Sequence, residues 1–194
     1  MGIDPGLTRC GVGIVDVAPD RTARLVHVGV IRSASDAPIG ERLATIARGI
    51  RATLAEHRPE VLAVERVFAQ QNLATVMGTA QASGVALMLA AEHGIATAMH
   101  TPSEVKAAVT GYGSADKAQV QHMVARVLRL DELPKPADAA DALALALCHA
   151  WRGAPALPAP GAPGALTPGQ PALTPAQRAW AEAEQRSRRA PARR

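Results

Sequence analysis

The sequence predicts an α/β domain in which α-helices flank a central mixed β-sheet. Three observations lead to this fold class: Val- and Ile-rich runs, helical periodicities between them, and the order strands, helix, strand, helix, strand, helices along the chain. The 194 residues are long enough for one domain with a real core. Because 48% of them are hydrophobic but only 2% aromatic, that core must consist of Ala, Val, Leu and Ile.

The first third of the chain alternates between strands and a helix. The runs 11–17 and 24–32 are rich in Val and Ile, and the turn-forming APDRT between them indicates two paired strands. Apolar residues recur every three or four positions over 39–57, which predicts a helix that ends before Pro59. The short apolar run VLAVE at 61–65 is typical of a strand buried in a sheet.

A long helix is predicted over 72–93, from Asn72 to the residue before Gly94. Small residues recur along it at every fourth position: Ala74, Gly78, Ala82, Ala86 and Ala90. Such a row lets another backbone approach closely. The sequence leaves open whether that backbone belongs to the protein's own fold or to a second copy in a dimer.

The rest of the domain adds one strand and three helices. The run 95–100 is a strand candidate, and Pro102 fits the first turn of a helix over 102–110. Periodic apolar residues predict a further helix over 116–130 and a last one over 136–151.

The composition changes after residue 152. We expect residues 1–152 to form the domain and residues 153–194, which are rich in Pro, Ala and Arg without a period, to form a disordered tail. The domain contains 15 Lys and Arg against 15 Asp and Glu, whereas the tail contains six Arg and two Glu. The net charge of +4 therefore comes from the tail, and a nucleic-acid surface on the domain must be a local patch.

Nothing in the sequence indicates export or a membrane. The start of the chain has no charged region followed by an apolar stretch, and the apolar runs are shorter than the roughly 18 residues that span a bilayer. The spacing of Cys10 and Cys148 suggests neither a metal site nor a disulfide framework. We expect a reduced, cytoplasmic protein.

Four carboxylates lie where sites are usually built. Asp4 ends the first predicted strand, Glu65 ends the buried run VLAVE, and Asp138 and Asp141 lie three residues apart near the start of the last helix, on one face. Converging carboxylates repel one another unless they bind cations, and all-oxygen ligands suit Mg²⁺ or Mn²⁺. Two such ions about 4 Å apart can promote hydrolysis of a phosphodiester.

Each carboxylate also has a purely structural interpretation. Asp138 could cap the helix, Asp141 could be solvated, Glu65 could pair with an arginine, and Asp4 could begin the turn at Pro5. Spacing alone does not prove that all four converge.

Four segments resemble the signature segments of the RuvC family of bacterial Holliday junction resolvases. They are IDPGLTRCGVGIVD (3–16), VERVFAQQN (64–72), GSADKAQVQHMV (113–124) and ADAADALALALCH (137–149). The match runs over about residues 1–152, in the same order and at similar intervals. The resemblance implies an RNase H-like fold, a homodimer, and an active site with two Mg²⁺ ions (or Mn²⁺ in their place), in which Asp4, Glu65, Asp138 and Asp141 are the catalytic and metal-binding residues.

The same resemblance implies a reaction and partners. The protein would resolve four-way DNA junctions in homologous recombination and DNA repair, with paired symmetric nicks that leave 5′-phosphate and 3′-hydroxyl ends. It would work with the branch-migration motor of RuvA and RuvB. The two-fold symmetry of a dimer matches that of a junction, which gives the dimer a physical rationale.

The resemblance also implies three DNA contacts. Phe68, the only Phe, precedes the polar AQQN and would stack on bases near the crossover. Lys106 and Lys117 would contact DNA near the scissile phosphate, for which a point cation is suited. The structural alternatives are a Phe packed under its loop and lysines on exposed helix faces.

One departure from the family concerns the first strand. Relatives carry several apolar residues before GIDPG, whereas this sequence has only Met1 before it. Either the start of the chain was assigned late or the first strand is short, and a truncated strand would hold Asp4 less firmly.

Three other functions are alternatives to junction resolution. A related nuclease that processes ribosomal RNA precursors would cut structured RNA instead of DNA junctions. IDPGLTRCG also resembles the phosphate loop of actin-like and sugar-kinase ATPases, but those proteins need a second such domain, for which this chain is too short. A non-catalytic protein would bind junctions without cutting them in the presence of magnesium.

Overall fold

The computed structural model describes residues 1–66 and 73–152, which form an α/β domain with a five-stranded mixed sheet. The predicted fold class is thus confirmed. In chain order the elements are β1 (Gly2–Asp4), β2 (Arg9–Val17), β3 (Ala23–Arg32), α1 (Ile39–His57), β4 (Val61–Glu65), α2 (Leu73–Glu92), β5 (Ala96–His100), α3 (Pro102–Thr110), α4 (Lys117–Val127) and α5 (Ala137–Arg152).

The first strand lies at the centre of the sheet. The strand order is β3-β2-β1-β4-β5, with β1 antiparallel to β2 and parallel to β4. Strand β1 is short, with three residues. It is nevertheless hydrogen-bonded on both edges, and Ile3 is fully buried. Asp4 is paired with Gly11 of β2, so the sheet fixes the backbone that carries this carboxylate.

One face of the sheet is covered by α1 and α2. Side chains alternate between faces along a strand, and the apolar residues Ile3, Val12, Leu62 and Val64 belong to one core cluster with residues of the two helices, namely Ile46, Ile50, Leu54, Ala82, Ala86, Leu89 and Ala90. The small-residue row of α2 therefore packs inside the protein's own core at its last three positions. Gly78 of the same row contacts Leu7.

On the other face, α5 lies directly on the backbone of the sheet because glycines replace side chains there. A Cβ atom at Gly11 would overlap the carbonyl oxygen of Asp138, and one at Gly2 would overlap that of Ala142. At Gly13 a Cβ would lie 2.7 Å from the amide nitrogen of Leu143, which is also too close. Glycine at these positions thus brings the first turns of α5 next to Asp4.

The largest difference from the predicted elements is in α4. The predicted helix 116–130 is wrong at its end, because the helix stops at Val127. Its N-cap is Asp116, which forms a capping box with Gln119. After Val127, Arg129 has a left-handed φ of 53° and the amide of Leu130 donates to the carbonyl of Ala125, which terminates the helix despite the apolar periodicity beyond it.

Two predicted features lie outside the described residues: the tail 153–194 and the start of the long helix at Asn72. Cys10 and Cys148 are buried free thiols, consistent with the absence of a predicted disulfide framework. Of the helices in the described ranges, none has the length and apolar character needed to cross a membrane.

Candidate active site

Two of the predicted carboxylates are neighbours at the carboxyl ends of two adjacent inner strands. The parallel strands β1 and β4 pair Gly2 with Ala63 and Ile3 with Val64. One position further, Asp4 and Glu65 end the two strands side by side. Because residues two apart on a strand share a face, Asp4 lies on the same face as Gly2, the face covered by α5.

The last helix adds Asp141 to this pair. Asp4, Glu65 and Asp141 line one cavity of about 330 Å³ together with Lys106 of α3 and Lys117 of α4. Five residues that the sequence predicted to act in the site therefore surround one cavity. Helix α5 provides the acid because the glycines beneath it allow its first turns to approach Asp4.

Asp138 does not line this cavity. It lines a second cavity of about 420 Å³, and its Oδ2 atom lies 2.8 Å from Nε of Arg9. The Asp138 carboxylate is nonetheless near enough to contribute to the raised pKa of Asp4. The other three predicted carboxylates thus all act on the pKa of Asp4, although only Glu65 and Asp141 share its cavity.

Burial and mutual repulsion oppose ionisation of these carboxylates. They raise the pKa of Asp4 to about 7, with burial the largest cause, followed by the charges of Asp141, Glu65 and Asp138. The pKa of Glu65 is also raised, first by burial and then by Asp141, while Lys117 partly offsets both shifts. A cation placed among these groups would favour their ionised forms.

Two basic side chains already pair with the helix acids. Nζ of Lys117, the first residue of α4, lies 2.7 Å from Oδ2 of Asp141. This hydrogen bond is the main cause of the raised pKa of Lys117. Arg9 pairs with Asp138 in the same manner. Each acid of α5 therefore has a cationic partner.

The chemistry of the carboxylates fits a hard divalent cation. Their donors are all oxygen, which favours Mg²⁺ or Mn²⁺ over zinc. Within residues 1–66 and 73–152, no three His, Cys, Asp or Glu side chains are already arranged to hold a metal ion. A cation bound by the acids of α5 would compete with Arg9 and Lys117 for their carboxylate oxygens.

The predicted DNA contacts are only partly described. Lys106 of α3 and Lys117 of α4 both line the carboxylate cavity, and their contact with a phosphate stays a prediction. Phe68 lies in the segment 67–72, outside the described residues.

Sequence reasoning missed two contributors to the site. Arg9 was not singled out, and nothing in its surroundings in the chain indicates a partner 129 residues away. The glycines under α5 did leave a signal, because Gly2-x-Asp4 and Gly11-x-Gly13 place glycine at alternate positions of two neighbouring strands. Such a pattern indicates a face on which another backbone lies.

We expect Asp4→Asn to stabilise the protein when divalent cations are removed with EDTA. The native state binds the Asp4 proton more tightly than the unfolded state, so the wild type loses stability as the pH rises from about 4 to about 7. Since one pKa unit corresponds to about 1.4 kcal/mol, the gain approaches an upper bound of about 4 kcal/mol above pH 7.

Urea denaturation of both proteins at pH 5 and pH 8 measures this gain, which must be larger at pH 8. Asp131→Asn, which removes an exposed carboxylate, is the control and should change little at either pH. An Asp4→Asn variant no more stable than the wild type at pH 8 would contradict the prediction.

Comparisons with known proteins match nearly the whole described domain. The family model described as crossover junction endodeoxyribonuclease RuvC matches residues 1–149. The crossover junction endodeoxyribonuclease RuvC of Leifsonia xyli subsp. xyli is 62% identical over 193 residues, which covers 97% of this chain and 93% of the relative. That of Streptomyces griseus is 65% identical over 152 residues, covering 78% of this chain and 74% of the relative.

Solved structures show the same likeness. T. thermophilus RuvC in complex with a Holliday junction substrate is 38% identical, with a TM-score of 0.75, covering 81% of this chain and 96% of that one. The yeast mitochondrial Holliday junction resolvase has a TM-score of 0.53, covering 76% of each chain. It is only 13% identical, so that likeness concerns the fold alone.

Proposed function

The chain belongs to the RuvC family of crossover junction endodeoxyribonucleases, and from this premise we propose that it resolves Holliday junctions in homologous recombination and DNA repair. It hydrolyses one phosphodiester in each of two opposed strands and leaves 5′-phosphate and 3′-hydroxyl ends. The observation that carries this proposal is the cavity in which Asp4, Glu65 and Asp141 face Lys106 and Lys117. The family excludes the ATPase and the RNA-processing alternatives, whereas the non-catalytic one needs an experiment.

Asp4, Glu65, Asp138 and Asp141 would hold two Mg²⁺ ions, with Mn²⁺ as a substitute. When bound, the ions would supply activation of the attacking water and stabilisation of the leaving oxygen. The strand acids Asp4 and Glu65 are held rigidly by the sheet, and Asp138 and Asp141 approach them on α5. The raised pKa of Asp4 supports this role, because a cation relieves the repulsion that causes part of the shift.

Lys106 and Lys117 would bind the phosphate that is cleaved. Both line the carboxylate cavity, and Lys117 is held there by Asp141 at 2.7 Å. An ammonium group released from Asp141 can turn to a phosphate oxygen and offset the charge that develops on it. Phe68 remains a proposed stacking residue because of its place after β4 and the family resemblance.

The decisive experiment uses a labelled, mobile four-way DNA junction with Mg²⁺ or with EDTA, beside a structured RNA of equal length. Paired nicks that a ligase can seal, formed only with Mg²⁺ and only in the DNA junction, are the expected result. Selective junction binding without any cleavage in Mg²⁺ would overturn the catalytic proposal and leave a binding protein.

A homodimer follows from the two cuts, because two sites related by a two-fold axis match the two opposed strands. An exposed stripe on α2, apolar except for Gln81, supports it. Met77 and Met88 are 53% and 48% exposed, and Ala80, Gly84 and Ala91 are exposed between and beyond them at helical spacing. The sequence of α2 has no charged residue before Glu92. The face of α2 opposite its buried alanines is thus suited to a second copy of the chain.

We expect Met88→Glu to convert the dimer into a monomer, because a charge would be buried in the apolar stripe. Sedimentation velocity measures the state directly. Ile39→Glu is the matched control, since Ile39 is 46% exposed and a Glu in the first turn of α1 is favoured by the helix dipole. A dimer that persists in Met88→Glu at low micromolar concentration would refute this interface.

The remaining assignments rest on the family resemblance. We assign residues 1–152 to the nuclease domain and 153–194 to a separate tail, which agrees with the family match to 1–149. We further propose that the protein acts in the cytoplasm on junctions delivered by the motor of RuvA and RuvB. Co-purification of the three proteins on junction DNA tests that association.

A further inference from the structure

Beside the carboxylate cavity lies a second one with a different charge. It has a volume of about 420 Å³ and is lined by Thr8, Arg9, Arg42, Thr79 and Asp138, among others. Two guanidinium groups thus face a single carboxylate. This arrangement leaves one positive charge in excess at the border of the proposed cleavage site.

Arg42 is fixed in this corner by hydrogen bonds. Its Nε donates to Oγ of Ser33 at 3.1 Å, and its Nη2 donates to Oγ1 of Thr8 at 2.8 Å. These bonds use two of the five donors of a guanidinium group and orient its plane. The loop between β1 and β2 is thereby tied to α1, and the Thr8 and Arg42 side chains form a fixed polar wall.

Arg9 is less constrained than Arg42. Its side chain is 54% exposed, and it forms an ion pair with Asp138. A cation that binds Asp138 would compete with this guanidinium for the carboxylate, and a displaced Arg9 would carry an unpaired charge in the cavity that it shares with Arg42. The nearest anion on a bound nucleic acid is a backbone phosphate, for which a guanidinium offers bidentate geometry.

We propose that Arg9 and Arg42 bind a backbone phosphate of the junction strand adjacent to the scissile one, and that Arg9 exchanges Asp138 for this phosphate when a divalent cation binds. The inference rests on the proposed function. The lysines Lys106 and Lys117 line the carboxylate cavity, and the two arginines line the cavity that contains Asp138. The strand is held at two points, which aligns it across the site.

The salt dependence of junction binding tests the phosphate contact. In an Asp141→Asn background that prevents cutting, Arg9→Gln should lower the slope of log affinity against log salt by about 0.9 in Mg²⁺, the value for one lost phosphate contact. Arg9→Lys should largely restore the slope. The control Arg24→Gln removes an arginine that also pairs with an aspartate, Asp16, at 2.8 Å and should leave the slope unchanged.

If Arg9 exchanges Asp138 for a phosphate, removal of Arg9 should strengthen cation binding although it weakens DNA binding. This experiment uses the protein with Asp141 intact and no DNA, and it measures the Mg²⁺ concentration that produces half of the thermal stabilisation. Arg9→Gln should lower that concentration roughly two- to fivefold, since no ion pair must be broken. Arg24→Gln should leave it unchanged. A merely structural role for Arg9 would weaken both Mg²⁺ and DNA binding.

The two proposals fail in different ways. If the Asp141→Asn parent does not prefer a four-way junction to a duplex, the proposed function fails. If it does prefer the junction but Arg9→Gln keeps the parent's salt slope, the phosphate site is refuted. An unchanged or higher Mg²⁺ midpoint in Arg9→Gln refutes the exchange.

Discussion

Asp141→Asn is expected to lower the rate of junction cleavage by more than roughly 10²-fold, the upper figure for groups that only support a metal ligand, because it removes a proposed cation ligand without changing the shape of the side chain. The cavity that Asp141 shares with Asp4 and Glu65 would lose one of its three carboxylates. The substitution also removes the anion that holds Lys117 at 2.7 Å. Affinity for the junction should stay the same or rise, since a negative charge near the DNA is lost.

Single-turnover cleavage in Mg²⁺ and binding in EDTA separate these effects. Asp16→Asn is the matched control, because Asp16 is also ion-paired with a basic side chain, Arg24, but lies on the exposed part of β2. It should cut at the wild-type rate. Wild-type cleavage by Asp141→Asn would remove Asp141 from the proposed mechanism.

Gly11→Ala should both destabilise the fold and disable the site. The added methyl group would overlap the Asp138 carbonyl oxygen, which is backbone and cannot rotate away. Overpacking of this kind costs about 1–3 kcal/mol and occasionally more. Helix α5 must move away from β2, which separates Asp138 and Asp141 from Asp4, and a displacement of about 1 Å can cost roughly 10²-fold in rate.

Urea denaturation and cleavage assays at a temperature where both proteins are folded measure the two effects. Gly40→Ala in α1 is the control, since a Cβ there meets no atom within 4 Å. It should keep full activity and gain slightly in stability, as glycine is unfavourable in a helix. A Gly11→Ala protein with wild-type stability and activity would show that α5 does not depend on this close approach.

The sequence predicted those parts of the structure that depend on local pattern. The helices at 39–57 and 102–110 and the strand at 61–65 follow from periodicity and proline, and they have the predicted bounds. The end of α4 at Val127 did not follow, because the left-handed turn at Arg129 overrides an apolar period that continues to Leu130.

The site was predicted as a set of residues but not as a geometry. Asp4 and Glu65 could be expected at strand ends, yet their adjacency depends on the register of β1 with β4. The ion pairs of Asp138 with Arg9 and of Asp141 with Lys117 depend on where α5 lies over the sheet. That position is set by glycines on strands more than 120 residues earlier, whose pattern indicates a closely packed backbone but not which helix provides it.

The sheet face on which glycines make room for α5 also has a consequence for biosynthesis. A chain is synthesised from its N-terminus, so the residues of the central strands are made long before residues 137–152. Until then the sheet lacks the helix that covers its middle, and Asp4 and Glu65 lack both acids of α5. The step that completes the hydrophobic core therefore also assembles the set of four carboxylates. A nascent or prematurely terminated chain therefore has neither a finished core nor the complete set of carboxylates.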